Sequence, residues 1–338
     1  MTKKKHGYYL IFSMAILIAT SFFAIGIGRF NISFSEVFDI IIKGISPNSV
    51  IDYSDSAQSV VFKLRIPRIL VSILVGASLS VSGTIYQSIF RNKLVSPDIL
   101  GVSNGASVGA ALAMILGFSG MFTQICAFVI GALTVIISVC FAKVFKGSRD
   151  INLALAGLIV GGFMSSLLSF IKFAADVDEK LPEIVYWLMG SMASVTMKDA
   201  VVISLPCIVC ISVAFMLSWK LNIISMGENE AKTLGVNVIL VKCFYIVCAT
   251  ILTALSVCTC GIISWFGLMV PHLCRLLVGD DNCFLLPLST FVGATLLVVL
   301  DTISRTVFIS ELPLGILSGI VGSMVFAVVL VVRRKHED

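Results

Sequence analysis

Ala200–Trp219 reads AVVISLPCIVCISVAFMLSW, twenty consecutive residues without a charge. Wound as a helix rising 1.5 Å per residue, it covers the ~30 Å of hydrocarbon in a bilayer. Tyr8–Ile27 and Leu312–Val332 repeat the pattern. One such block would be an anchor; this chain is mostly blocks. Over 338 residues, 58% are apolar and only 13% charged, with a mean hydropathy of +1.06. A soluble domain carries about 25% charged residues to cover its surface. The composition therefore excludes a soluble enzyme and predicts an all-α, polytopic integral membrane protein, a single transmembrane domain over residues 1–338.

Ten spans are placed near 8–28, 66–90, 104–117, 122–142, 152–173, 200–219, 241–259, 262–277, 286–306 and 312–332, some of them short or tilted. An even count returns the C-terminus to the side of the N-terminus. With Lys3, Lys4 and Lys5 inside, the same side collects Arg91, Lys93, Lys143, Lys146, Arg149, Lys220, Lys232, Lys242, Arg275, Arg333, Arg334 and Lys335, making 15 of the 24 basic residues. Positive loops stay in the cytoplasm, so both termini are expected there, in a cytoplasmic-type membrane. Basic residues on the other side sit among acids, as in Asp176–Glu183. No small-residue cleavage site follows Phe23, so the first block reads as a retained span.

The ten cysteines lie almost entirely inside spans, where a thiol packs as a small apolar group. Cys207-x-x-Cys210 and Cys258-x-Cys260 have no second pair or histidine at zinc-ligand spacing. Of three histidines, His272 beside Pro271 is the one in a span region, and it reads as a structural residue. A permease for bare divalent metal is expected to carry His and carboxylate ligands within its spans, and this chain has almost none. There is no GxxxxGK[ST] loop, so any ATP is used by another polypeptide. There is also no string of intramembrane carboxylates of the kind that relays protons or binds sodium.

Four polar or small-residue segments interrupt the apolar pattern. Val61–Leu70, VFKLRIPRIL, puts Lys63, Arg65 and Arg68 at the outer mouth of the second span, with Pro67 at a helix start. Cations there oppose the helix dipole, which suggests an external anionic partner; snorkelling to lipid phosphates is the alternative. Arg91–Ala110, RNKLVSPDILGVSNGASVGA, is a poor helix interior. It reads as a re-entrant or broken stretch lining a path, or as small residues that let helices approach. Asn222–Asn237 holds a short amphipathic helix near 226–235, opened by Gly227-Glu228 and closed by Leu234-Gly235. Too short to span and marginal alone, it calls for a cytoplasmic protein partner rather than lipid. In the fourth segment, Asp301 and Arg305 stand at i and i+4 and can pair near the outer surface, ahead of Glu311-Leu312-Pro313-Leu314-Gly315.

In these segments the chain resembles the FecCD-type permeases of iron-chelate and cobalamin ABC importers. The motifs are LRIPRIL with VGASLSVSGTIYQ, RNKLVSPDILGVSNGASVGA, YWLMGSMASV, ENEAKTLGV, ISWFGLMVPHLCRL, DTISR and ELPLGILSGIVGS, in order along nearly the whole chain. The resemblance implies a cobalamin-importer-permease-like fold whose subunits, paired as a homodimer or with a sister permease, surround a central pathway. It implies a type II ABC importer carrying an iron-siderophore, haem or cobalamin-like chelate. Separate ATP-binding cassette subunits would drive it and an extracytoplasmic substrate-binding (lipo)protein would feed it.

It further implies that Arg65, Arg68 and Arg305 receive acidic residues of the binding protein, and that Glu228, Ala231, Leu234 and Gly235 form the element gripped by the ATPase. Ser103, Asn104, Gly105, Asn152 and Gly157 would lie near the pathway and its cytoplasmic gate. No cofactor is expected on this chain itself, and lipid, not nucleic acid, is its surrounding partner. The competing readings are an ion-coupled secondary carrier working without an ATPase, a divalent-metal ABC permease, and a membrane scaffold or intramembrane enzyme. The last lacks a catalytic constellation.

Overall fold

The computed structural model describes residues 3–30, 32–45, 55–307 and 310–337, and every regular element among them is helical. The side chains of Lys3, Lys4, Arg333, Arg334 and Lys335, counted above toward the inner charge, lie outside the described ones. In chain order the helices are α1 (Lys3–Gly26), α2 (Phe34–Ile45), α3 (Asp55–Ser59), α4 (Ile66–Ile89), α5 (Val102–Ile115), α6 (Met121–Ala142), α7 (Arg149–Ala174) and α8 (Lys180–Leu188). There follow α9 (Met197–Met216), α10 (Ser218–Met226), α11 (Glu228–Thr233), α12 (Val238–Cys260), α13 (Phe266–Val278), α14 (Asn282–Thr306) and α15 (Leu314–Glu337). Among the described residues seven helical stretches are long and apolar enough to cross a membrane, and three shorter apolar ones, in α5, α13 and α15, bring the bundle to about ten.

The bundle is organised around α4, which is buried on nearly every side while α1 stays largely exposed. Lipid tails are as apolar as leucine, so close packing, not the hydrophobic effect, draws these helices together. The sequence of α4 suits this: Gly76, Ala77, Ser78, Ser80, Ser82, Gly83 and Thr84 give it a narrow waist. A Cβ on Gly83 would stand 1.7 Å from the Gly267 carbonyl oxygen, and one on Gly76 would stand 2.4 Å from that of Gly293. These two glycines are where α13 and α14 press onto α4. The buried hydroxyls are satisfied: Ser80 donates to Gly76 O at 2.7 Å, Ser88 to Thr84 O at 2.8 Å, and Ser82 meets Thr253 at 2.6 Å.

One expectation needs correction. The α-helix α4 does start at Ile66 with Pro67 in its first turn, as expected, but that start is not a free end. Residues 56–89 form one continuous helical stretch, with a π-helical turn at Val60–Arg65 joining α3 to α4. Proline has no N–H to close the ladder, and the widened turn, with Ile66 N–H reaching Val61 O, takes up the mismatch. Lys63, Arg65 and Arg68 therefore do not face a free helix N-terminus, and the dipole argument for an outside anion falls.

The broken stretch after α4 is present. Turns fill residues 90–101, Gly101 takes φ +79°, and Asp98 Oδ1 accepts the Ser103 amide at 2.7 Å to cap α5. At 14 and 13 residues, α5 and α13 are too short to cross on their own. Both begin in mid-bundle, since Ser103 and Gly267 border the same cavity as Leu79, halfway along α4.

Candidate functional site

Charged side chains gather at the two ends of the bundle. At the end where α4 starts and α14 finishes, Asp301 is buried with 1% exposure and binds two arginines. Arg68 Nε donates to Asp301 Oδ1 at 2.7 Å, and Arg305 Nε lies 3.8 Å from Oδ2. The predicted i, i+4 pair thus exists, but the closer partner of Asp301 comes from another helix. Arg68 also reaches Glu311, Nη1 to Oε1 at 2.9 Å. Arg65 donates to the carbonyls of Ile25, Gly26 and Phe30, and Arg305 to that of Ala24.

Those carbonyls belong to the end of α1 and its exit, where a helix leaves four C=O groups without partners and carries partial negative charge. Two guanidiniums fill that need. Arg65, Arg68 and Arg305 are only 3%, 8% and 7% exposed, so they are not outward-facing charges. They border a cavity of about 230 Å³ with Arg29, Ala193 and Glu311. Among the described residues, Arg65, Arg68 and Arg305 face two carboxylates, Asp301 and Glu311, with Arg29 a fourth arginine on the cavity wall, and the buried Arg68 Nη2 has no hydrogen-bond acceptor.

The opposite end is built on α11. Gly227 at φ +144° and Gly235 at φ +74° bracket Glu228–Thr233, a narrower helix than 226–235 but with the same opening and closing residues. Ala231 is fully buried, whereas Leu234 at 60% and the preceding Met226 at 66% stand exposed. Lys242 on α12 donates to Glu228 Oε1 at 2.7 Å and to Asp150 Oδ1 on α7. The hydrogen bond from Lys242 holds the Glu228 carboxyl below the ordinary range of a glutamate, against the opposing effect of partial burial. Asp150 Oδ2 also lies 3.4 Å from Arg91 Nη2, at the exit of α4. Nearby, Asp280 ties Lys93 at 2.9 Å to Arg275 at 2.7 Å.

The five residues predicted near the pathway do not form one lining. Ser103 borders a cavity of about 290 Å³ with Asp98, Thr253 and Ser264. Asn104 donates to Gly161 O at 3.1 Å, and Asn152 to Phe145 O at 3.0 Å. Gly105 and Gly157 serve close approach instead: a Cβ on Gly105 would meet Thr134 Oγ1 at 2.1 Å, and one on Gly157 would meet Ile99 O at 2.1 Å. His272 is buried against the Phe326 ring, and the described residues contain no cluster of three His, Cys, Asp or Glu able to hold a metal ion.

The sequence reading missed Lys242, Asp150 and Glu311 as members of these clusters. Lys242 carried a signal, as the one charge within VILVKCFYIV, and Glu311 another, as the head of ELPLG. The conspicuous YWLMGS and ELPLG motifs turn out to meet through backbone: Leu314 N–H donates to Gly190 O at 2.8 Å, and Gly315 N–H to Met189 O at 2.9 Å. Gly190, at φ +74°, also packs on Ile262 so tightly that a Cβ would stand 2.6 Å from its carbonyl oxygen.

Residues 16–333 match the model of the FecCD transport family. The molybdate import system permease protein MolB of Haemophilus influenzae is 37% identical over 95% of this chain and 94% of its own. The vitamin B12 import system permease protein BtuC of Vibrio cholerae is 35% identical over 87% and 88%, and the hemin transport system permease protein HmuU of Yersinia pestis 30% over 84% and 87%. A solved ABC transporter of metal-chelate type, in an inward-facing conformation, superposes with a TM-score of 0.85 at 35% identity, covering 95% of this chain and 98% of that one. With motifs in order, an all-helical bundle around a narrow central helix, and relatives matched nearly end to end, the chain belongs to the FecCD transport family of ABC importer permeases.

Proposed function

We propose that this chain is the membrane channel of a type II ABC importer in a prokaryotic cytoplasmic membrane, with both termini cytoplasmic. Two ATP-binding cassette subunits drive it, a binding (lipo)protein feeds it, and a second copy or a sister permease completes the pathway. The observation that carries the reading is polarity along the bundle axis. One end holds a buried arginine cluster with unfilled donor capacity beside a cavity, and the other presents an exposed Met226 and Leu234 on a glycine-bracketed turn. An acidic side chain of a docking protein suits the first, and a cleft in a motor subunit suits the second.

The cargo in this reading is a metal held in an organic cage, an iron-siderophore or a haem- or cobalamin-like chelate. The lack of a three-ligand cluster among the described residues favours a conduit that never grips bare metal. A second reading, an oxyanion such as molybdate, draws on the 37% identity to the molybdate permease.

Reconstitution in vesicles with the ATPase and the binding protein encoded beside it tests both. ATP-dependent uptake of ferric siderophore, haem or cobalamin supports the first reading, and uptake of molybdate alone replaces it with the second. Uptake by this chain without an ATPase, collapsing with an ion gradient, replaces the whole proposal with a secondary carrier. Docking is tested at Ala193, exposed at the rim of the arginine cavity. Ala193→Glu should abolish binding-protein-stimulated ATP hydrolysis while leaving the complex assembled; unaltered stimulation rules out docking there. Charge reversal of Arg68 itself is uninformative, because it would set three carboxylates together in the interior.

A further inference from the structure

Among the described residues, α11 is joined to the other helices by very little. Its backbone hydrogen bonds close locally, Thr233 Oγ1 bonds Glu230 O within the turn, and the Ala231 methyl is its one fully buried side chain. The single ion pair or side-chain hydrogen bond that leaves α11 for another element is Glu228 to Lys242. A six-residue helix between two left-handed glycines has little rigidity of its own. Displacement of this turn therefore has few routes into the bundle.

Lys242 does not end the chain of contacts. Its side chain is 8% exposed, and the same ammonium binds Asp150, the second residue of α7. Asp150 in turn pairs with Arg91 in the turn that leads into α5. One buried cation thus links α11 to α7 directly, and to the α4–α5 turn through Asp150. Next to Asp150, Asn152 bonds Phe145 O and orders the α6–α7 turn. Asp150, Asn152 and Lys242 line a cavity of about 560 Å³ at this end of the bundle. Lys242 is the common partner of Glu228 and Asp150.

Resting on the coupling role proposed above for α11, we propose that Lys242 is the positioning residue through which movement of that turn is passed to α7. It touches neither nucleotide nor cargo. Two carboxylates on separate elements share one ammonium, so a shift of Glu228 alters the hold on Asp150 and hence the start of α7.

The test uses the full complex with its ATPase. In a background where the exposed Cys140, Cys243 and Cys283 are serine, Ile151→Cys, at the exposed start of α7, places a reporter there. Its labelling rate by a water-soluble maleimide is compared without nucleotide and with ATP and vanadate, alongside steady-state ATP hydrolysis. Glu228→Gln and Asp150→Asn are made singly and together. Each single change should shrink the nucleotide-dependent labelling difference on the order of tenfold while hydrolysis holds within about twofold. The double variant should be no worse than the poorer single one, because both act through one ammonium. Losses that multiply, or an α7 reporter blind to nucleotide in the wild type or untouched by either single change, overturn the inference.

A merely structural pair would lower complex yield and thermal stability without changing the labelling difference in the complexes that form. Lys242→Met should reproduce the single variants; where it fails to assemble, the Glu228 and Asp150 pair carries the test. Leu234→Asp separates this inference from the reading beneath it. If nucleotide still moves α7 in Leu234→Asp, the coupling role of α11 itself fails. If Leu234→Asp is uncoupled while the two carboxylate losses multiply, only the role of Lys242 fails.

Discussion

Replacing Asp301 with alanine should destabilise the protein far more than an ordinary polar substitution in a membrane bundle. Asp301 is 1% exposed and is the near partner of Arg68 at 2.7 Å and, among the described residues, the one carboxylate in an ion pair with Arg305, at 3.8 Å. Its removal leaves Arg68 with the partly exposed Glu311, and leaves Arg305 with carbonyl and hydroxyl acceptors and no directly paired carboxylate among the described residues. Stranding a buried charge costs roughly 3–5 kcal/mol, whereas a side-chain hydrogen bond within a membrane helix bundle averages about 0.6 kcal/mol, with a maximum near 1.7. The two magnitudes do not overlap, so the experiment discriminates. Reversible unfolding of the purified protein in mixed micelles, titrated with a denaturing detergent, should show a loss of at least about 3 kcal/mol. Combining Asp301→Ala with Arg305→Met should recover part of it, because the second change removes the stranded cation. A loss below about 1 kcal/mol, or strict additivity of the pair, would refute the claim that this carboxylate neutralises the arginine cluster.

Gly83→Ala should lose stability in the same assay by about 1–3 kcal/mol or more, because its Cβ would lie 1.7 Å from backbone that cannot swing away. Gly162→Ala, in α7 with open space around it, should instead gain about 0.5–1 kcal/mol from helix propensity, and equal effects at the two sites would contradict the packing described. Leu234→Asp, at an exposed position that leaves the buried Ala231 untouched, should leave the fold intact but separate ATP hydrolysis from transport. Intact coupling in reconstituted vesicles would remove α11 from the motor contact. The depressed Glu228 carboxyl sets a pH dependence whose sign follows from its hydrogen bond to Lys242. A group ionising more readily in the folded state contributes stability above its unfolded pKa of about 4.3 and loses it as pH falls through the lower folded value. Hydrogen exchange of the α11 amides, corrected for intrinsic rates, should be flat from about pH 8 to 5.5 and accelerate only in acid near or below that unfolded value. Loosening already near neutral pH would contradict the ion pair.

Membrane residence and the placement of helices were legible in the letters because both are local properties. A run of about twenty apolar residues decides its solvent by itself, and a glycine or proline decides its own backbone. That is why Gly227 and Gly235 marked the ends of α11, and why Pro97-Asp98 through Gly101 marked a break, before any coordinates. Pro67 marked the first turn of α4, but the π-helical turn at Val60–Arg65 that joins α4 to the helix before it left no such mark. What tertiary structure alone decided is the partner of each charge. Arg68 finds Asp301 and Glu311 at separations of 233 and 243 residues, and Lys242 finds Asp150 at 92. A helix that is apolar nearly all round carries no strong moment to say which way it turns in the bundle, so rotation and register emerge only when small residues such as Gly76 and Gly83 let neighbours close in. The sequence could therefore say that three arginines stood at one end of the protein. Only packing turned them inward, onto a carboxylate from α14 and the open carbonyls of α1.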